Sequence, residues 1–213
     1  MFADHYASLI AGQWPAIDEG TAFDRHALAC VLSVAREEGL SGRATIEEAT
    51  GLGPRELLGL IHRHFPCVSP GRLGLGADTG EAERGMEEDL LLDLLMEHAD
   101  PGLSDSRWFA RIVARRAMRN DHLWQDLGLF ERAELTRLLY RHFPELARGN
   151  TDNMKWKKYF YRKLCEAEGY SLCTAPSCRE CLDFEDCFGD ESGQSHLARR
   201  KNGHEVTALL SDG

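Results

Sequence analysis

Cys173, Cys178, Cys181 and Cys187 follow the spacing C-x4-C-x2-C-x5-C. Thiolates are soft ligands, and four of them in one short segment suit zinc or an iron–sulfur cluster. Pro176 and Gly189 bend the backbone, and Thr174, Ser177 and Asp183 tolerate turns, so the segment can wrap an ion with its sulfurs inward. Structural zinc sites usually pair two short knuckles across a longer loop, and here only Cys178 and Cys181 make a C-x2-C. C-x4-C-x2-C is a known spacing for three ligands of an iron–sulfur cluster, whose fourth cysteine is usually distant, whereas Cys187 follows closely. Spacing alone therefore points to a metal centre and leaves a cluster and a structural zinc ribbon both open.

The other cysteines read differently. Cys165 falls on an apolar stripe and is expected to be a buried small hydrophobe, with a fifth-ligand role as the alternative. Cys30 and Cys67 have no cysteine neighbours and are expected to be structural. The stretch leading into the cysteines is basic. Trp156, Phe160, Tyr161, Leu164 and Cys165 share one helical stripe, and Lys155, Lys158 and Arg162 share another. The cations are either a solvated face or a means of offsetting the charge of a thiolate-bound cluster and attracting an oxyanion or an acidic partner.

The rest of the chain must position this segment. It has 213 residues, 43% hydrophobic and 28% charged, an ordinary globular composition. No stretch approaches the roughly 18–20 apolar residues that span a bilayer, and the start at Met1-Phe2 lacks a basic region followed by an apolar run. A cytoplasmic setting without membrane contact is expected, where thiols stay reduced and clustered cysteines serve metals. The net charge of −10 argues against general nucleic-acid binding.

Helical periodicity dominates, and the expected fold class is all-α, with an internal helical repeat and a C-terminal cysteine-rich metal-binding loop. Phe23, Ala27, Cys30, Val31 and Val34 recur at helical spacing, with Gly39 as the expected stop. Thr45 and Glu48 suggest a capping box, and Pro54 the first turn of the next helix, ended by Pro66. Periodicity returns at about 87–98, breaks at Pro101-Gly102, and resumes with Trp108, Phe109, Ile112 and Val113. The expected organisation is an N-terminal helical unit over 1–66, a glycine-rich linker over 67–86, a second helical unit with the cysteine loop over 87–189, and a flexible tail over 190–213. No alternating strand pattern is evident.

The repeat is visible in the letters. Glu56-Leu57, Leu60-Ile61 and Arg63-His64-Phe65-Pro66 recur 78 residues later as Glu134-Leu135, Leu138-Leu139 and Arg141-His142-Phe143-Pro144. Gly51-Leu52 and Gly128-Leu129 precede the two copies. This suggests a duplicated packing element with Phe buried at a helix end; a ligand or proton-carrying role for His64 and His142 is the sharper alternative. Residues 44–65 also resemble a helix-turn-helix, but the second helix carries few basic or amide residues beyond Arg55 and Arg63. His122, Trp124 and Asp126 suggest a helix start. Glu87, Glu88, Asp93, Glu97 and His98 suggest a charged solvent face. No nucleophile–base pair, phosphate loop or dinucleotide fingerprint is present, so no catalysed reaction is expected.

One resemblance gathers these features. The run from Met154-Lys155-Trp156-Lys157-Lys158-Tyr159 to Leu164-Cys165, followed by Cys173, Pro176, Cys178, Cys181 and Cys187-Phe188-Gly189, resembles the NifQ family of nitrogen-fixation proteins. His122-Leu123-Trp124-Gln125-Asp126-Leu127-Gly128-Leu129 and Arg141-His142-Phe143-Pro144 are similar too. The resemblance is close over about 120–189 and looser before it. It implies an iron–sulfur protein that takes up molybdenum as a Mo–3Fe–4S species and donates it to synthesis of the nitrogenase iron–molybdenum cofactor. It implies Cys173, Cys178, Cys181 and Cys187 as the ligands. The implied partners are the cofactor assembly machinery (the NifEN scaffold and the nitrogenase iron protein) and molybdate or a molybdenum–sulfur species. The alternatives from the residues alone are a zinc-stabilised binding or regulatory module and a small iron–sulfur electron carrier.

Overall fold

A computed structural model describes residues 2–11, 15, 18–74, 82–167, 189 and 191. Within them the chain is helical and contains no strand. The helices are α1 (Phe2–Ile10), α2 (Glu19–Leu40), α3 (Ile46–Thr50), α4 (Pro54–His64), α5 (Met86–Glu97), α6 (Ser106–Ala117), α7 (Leu123–Asp126), α8 (Arg132–His142), α9 (Pro144–Arg148) and α10 (Trp156–Ala167). A 3-10 turn at Pro70–Leu73 lies between α4 and α5 and buries Leu73.

Helix α2 is the axis of the fold. Asp18 caps it by accepting the Thr21 N–H at 2.7 Å. Every residue from Ala27 to Ala35 is buried, including Ser33, so the helix is covered on all sides rather than along one stripe. It does not stop at Gly39. The left-handed residue that ends it is Gly42, with φ of 68°, and the Ser41 N–H closes back on Glu37 and Gly39. The Thr45–Glu48 capping box and the first-turn Pro54 form as the sequence suggests.

The repeat is real in three dimensions and larger than its letters. α4 and α8 are both 11 residues long, and the residues after them, Phe65 and Phe143, share one backbone conformation (φ −132°, ψ 54° and φ −137°, ψ 58°). At their starts Glu56 and Glu134 reach back to accept the backbone N–H of Gly53 at 3.0 Å and Phe130 at 2.7 Å. A short helix and a left-handed glycine precede each: α3 with Gly51 at φ 71°, α7 with Gly128 at φ 74°. Each unit therefore contains a long helix, a short helix, a glycine turn and an 11-residue helix: α2–α4 and α6–α8. The helix-turn-helix over 44–65 is one copy of this shared element.

The units interlock. Arg141 forks onto Asp24 of α2 at 2.7 and 2.9 Å, with His142 Nε2 3.0 Å from the same carboxylate. Conversely, Arg63 and His64 both lie 3.0 Å from Asp105, which begins α6. His142 Nδ1 also lies 3.0 Å from Ser106 Oγ. His64 and His142 are thus committed to buried hydrogen-bonding contacts with carboxylates, in line with a packing role. The glycines interlock likewise. A Cβ on Gly51 would meet Arg115 Cβ and Arg111 O of α6, and one on Gly128 would meet Val34 and Cys30 of α2. A third link is buried: Arg116 of α6, 1% exposed, donates to Glu38 of α2 at 2.8 Å.

Candidate metal centre

Cys173, Cys178, Cys181 and Cys187 lie outside the described residues, as does the whole of 168–188. Their two flanks are described. On the upstream side, α10 buries Trp156, Tyr159 and Phe160, positions i, i+3 and i+4, against the core. The Trp156 indole N–H donates to Thr136 Oγ1 at 3.3 Å, and the Tyr159 hydroxyl to the Leu146 carbonyl at 2.8 Å. Tyr159 is a core residue that the stripe analysis missed. The stripe there drifts by one position because the helix follows 3.6 residues per turn. Cys165 is half-buried rather than buried.

The cations of α10 divide by role. Lys157 is an anchor: its ammonium donates to the Arg119 and Asp121 carbonyls and to Asp126 Oδ2, at 2.5, 2.7 and 2.6 Å. Burial raises the Asp126 pKa above the ordinary carboxylate value, and the Lys157 contact offsets that only in part. Arg162 and Lys163 pair with Glu166 within the helix, at 2.9 and 2.8 Å. Lys158 is exposed.

The downstream flank returns to the same face. Glu191, 6% exposed at its side chain, pairs with Arg132 and lies 3.5 Å from His122 Nδ1. Arg132, in the first turn of α8, also donates to Asn153 Oδ1 at 2.8 Å, to the Asn153 carbonyl at 3.4 Å and to the Met154 carbonyl at 3.1 Å. Asn153 has φ of 55°, and among the described non-glycine residues no other φ is positive. One arginine therefore holds both the turn that enters α10 and the residue four past Cys187. Sequence reasoning passed over Arg132 and Glu191. The available signal was an arginine in the first turn of a helix, where the dipole disfavours a cation.

The NifQ family model matches residues 27–189. The chain belongs to the NifQ family. It is 55% identical over 195 residues to the NifQ homolog of Sinorhizobium fredii (strain NBRC 101917 / NGR234), covering 92% of this chain and 84% of that one. It is 41% identical to the NifQ protein of Azotobacter vinelandii over 152 residues (66% and 77% of the two chains). It is 33% identical to that of Rhodobacter capsulatus over 172 residues (81% and 93%). No solved structure matches significantly.

The NifQ match takes in the four cysteines, α10 and most of both helical units, and stops two residues before Glu191. Among the described residues, no three His, Cys, Asp or Glu side chains are arranged to hold an ion, and no helix is long and apolar enough to cross a membrane. Glu88, read from sequence as part of a solvent face, is buried and pairs with Arg115 at 2.9 Å. Burial raises its carboxyl pKa. A second polar cluster joins α1 to both units. The Tyr6 hydroxyl lies 2.8 Å from His26 Nδ1, and His26 Nε2 lies 3.1 Å from Glu134. Cys30 Sγ is 3.9 Å from the same ring, with its thiol pushed well up by burial and by the Glu134 charge. A protonated thiol and a half-buried neutral phenol are poor nucleophiles, so this cluster is a packing device.

Proposed function

We propose that this NifQ-family chain is an iron–sulfur protein that carries molybdenum and donates it for synthesis of the nitrogenase iron–molybdenum cofactor. Cys173, Cys178, Cys181 and Cys187 would hold the cluster, which is Mo–3Fe–4S when loaded. The observation that supports this reading is that all four cysteines of the chain's C-x4-C-x2-C-x5-C lie within residues 27–189, the range matched to NifQ. The donor chemistry fits: four thiolates suit iron and sulfide better than they suit hard cations. The source would be molybdate or a molybdenum–sulfur species. The receiving partners would be the NifEN scaffold and the nitrogenase iron protein, in the cytoplasm. The role is carriage and donation without a catalysed reaction.

The test is the metal and acid-labile sulfide content of protein purified without oxygen from cells supplied with molybdate. Iron, sulfide and molybdenum together are expected, and all should be lost on replacing the four cysteines with serine. Zinc without sulfide, reproduced anaerobically, would reduce the segment to a structural knuckle. Iron and sulfide without molybdenum, with a reversible one-electron couple, would make the protein an electron carrier.

A further inference from the structure

Arg132 sits where three parts of the chain meet. Its own helix supplies the first turn of α8. The turn before α10 supplies Asn153 Oδ1 and the Asn153 and Met154 carbonyls. The third part is Glu191, 59 residues away and almost fully covered. His122 contributes a ring nitrogen 3.5 Å from the other carboxylate oxygen. A guanidinium presents its donors in a fixed plane, so groups on two of its edges are fixed relative to each other as well as to α8. The Asn150 side chain reinforces the same turn by donating to the Met154 carbonyl at 3.0 Å and accepting its N–H at 2.8 Å.

An exposed ion pair contributes little, because water screens it and ordering the side chains costs entropy. This one differs. The Glu191 side chain is 6% exposed, that of Arg132 is 26% exposed, and the arginine is already oriented by backbone carbonyls. The carboxylate joins a prepared site, and its covalent position is four residues beyond Cys187.

We propose that Arg132 and Glu191, with His122, are positioning residues for the metal-bearing segment. They tie the chain before α10 and the chain after Cys187 to one point on α8, and so set how firmly the four thiolates retain their metal. This rests on the metal-carrier reading above for its functional sense, but not for its test. Outer contacts that orient ligands commonly change metal affinity by about tenfold or more when removed.

The experiment compares wild type with Glu191→Gln, Arg132→Lys and the double variant, each reconstituted anaerobically with iron and sulfide. The readouts are the rate of iron transfer to a chelator and the thermal midpoint of the helical signal. Glu191→Gln is expected to release iron about tenfold faster with the midpoint unchanged. The double variant should release no faster than the more affected single variant, because both act through one contact. Release at the wild-type rate in both single variants would overturn the proposal, as would additive effects. Hydrogen exchange of the metal-free proteins separates this idea from the carrier reading. Glu191→Gln should speed exchange at 153–155 and 189–191, and unchanged exchange there would overturn the positioning role. Wild type that takes up no metal would sink the carrier reading while this exchange comparison still decides the role of Arg132 and Glu191.

Discussion

Asp24, in the second turn of α2, and Asp105, the N-cap of α6, are each held by the arginine–histidine pair of the other unit. Arg141 and His142 reach Asp24, and Arg63 and His64 reach Asp105. Both carboxylates are buried, so neither unit satisfies its own polar groups. Asp24→Asn should therefore cost about 3 kcal/mol or more, the range for breaking a buried pair from one side. Arg63→Gln should cost less, because Arg63 is about half exposed. Urea unfolding followed by helical circular dichroism measures both. A loss below 1 kcal/mol for Asp24→Asn would remove the clasp from the stability account.

The same carboxylates set the response to acid. Burial pushes both pKa values up. The hydrogen bonds and charges of His142 and Arg141, or of His64 and Arg63, outweigh it and leave each carboxyl below its ordinary 3.8. A pKa lowered by folding gives stability that is complete above the unfolded value and lost as pH falls through the folded one. Thermal midpoints should therefore hold level down to about pH 4 and drop below it. In Asp24→Asn the drop should be shallower. An unaltered acid slope in that variant would place the acid response elsewhere.

At alkaline pH the reporter is Tyr6. Burial first, then the nearby Cys30 and Glu134, push its phenol up to about 12. This raised value contributes stability that is full below 10 and lost as pH rises towards about 12. Burial also raises Tyr159 and Tyr161, and phenolate absorbance should show Tyr6 as the last of these to ionise. Tyr6→Phe should remove that last step. If the last phenol to ionise survives that substitution, the burial of Tyr6 beside Cys30 and Glu134 is not what holds its proton.

Gly128 and Gly42 make a matched pair for testing the interlock. Both have positive φ, 74° and 68°. A Cβ on Gly128 would sit 2.5 Å from Val34 Cγ2 and 2.9 Å from the Cys30 carbonyl, whereas one on Gly42 would meet nothing within 4 Å. Gly42→Ala should cost about 1 kcal/mol of backbone strain. Gly128→Ala adds the clash and should cost about 3 kcal/mol or more. Equal costs in urea unfolding would mean that the turn, not the close approach to α2, explains Gly128.

Much of this architecture could be read in the letters, for identifiable reasons. Helices α4 and α8 announce themselves because core contacts repeat every three or four residues and because Pro54 and the glutamates mark their starts. Membership of the repeat was visible only where the duplicated residues face the same environment. Asp24 and Asp105 share no flanking motif and sit at different points of their helices, so their like roles follow only from seeing what Arg141 and Arg63 reach. The Gly39 stop failed because glycine is tolerated in a last helical turn, and the left-handed position fell at Gly42. Glu88 was misplaced because an acidic run hides which of its members faces a cation, here Arg115. Around the candidate centre, the cysteine spacing and Lys157 were legible as types. The link from Arg132 to Glu191 was not, since 59 residues separate them and no periodicity connects them.

Helix α10 changes character along its length. Trp156, Tyr159 and Phe160 are buried, while the residues from Tyr161 onward are half-buried or exposed. The helix is therefore rooted most deeply in the body by its first turn and a half, and its exposure rises toward Ala167. Most mutations are tolerated only within a stability margin, and sites that need special geometry usually draw on that margin. Here the fully buried anchors of α10 end at Phe160. Past that point the described contacts with the body are fewer, chiefly Leu164 on the core and Tyr161 on Glu87 of α5.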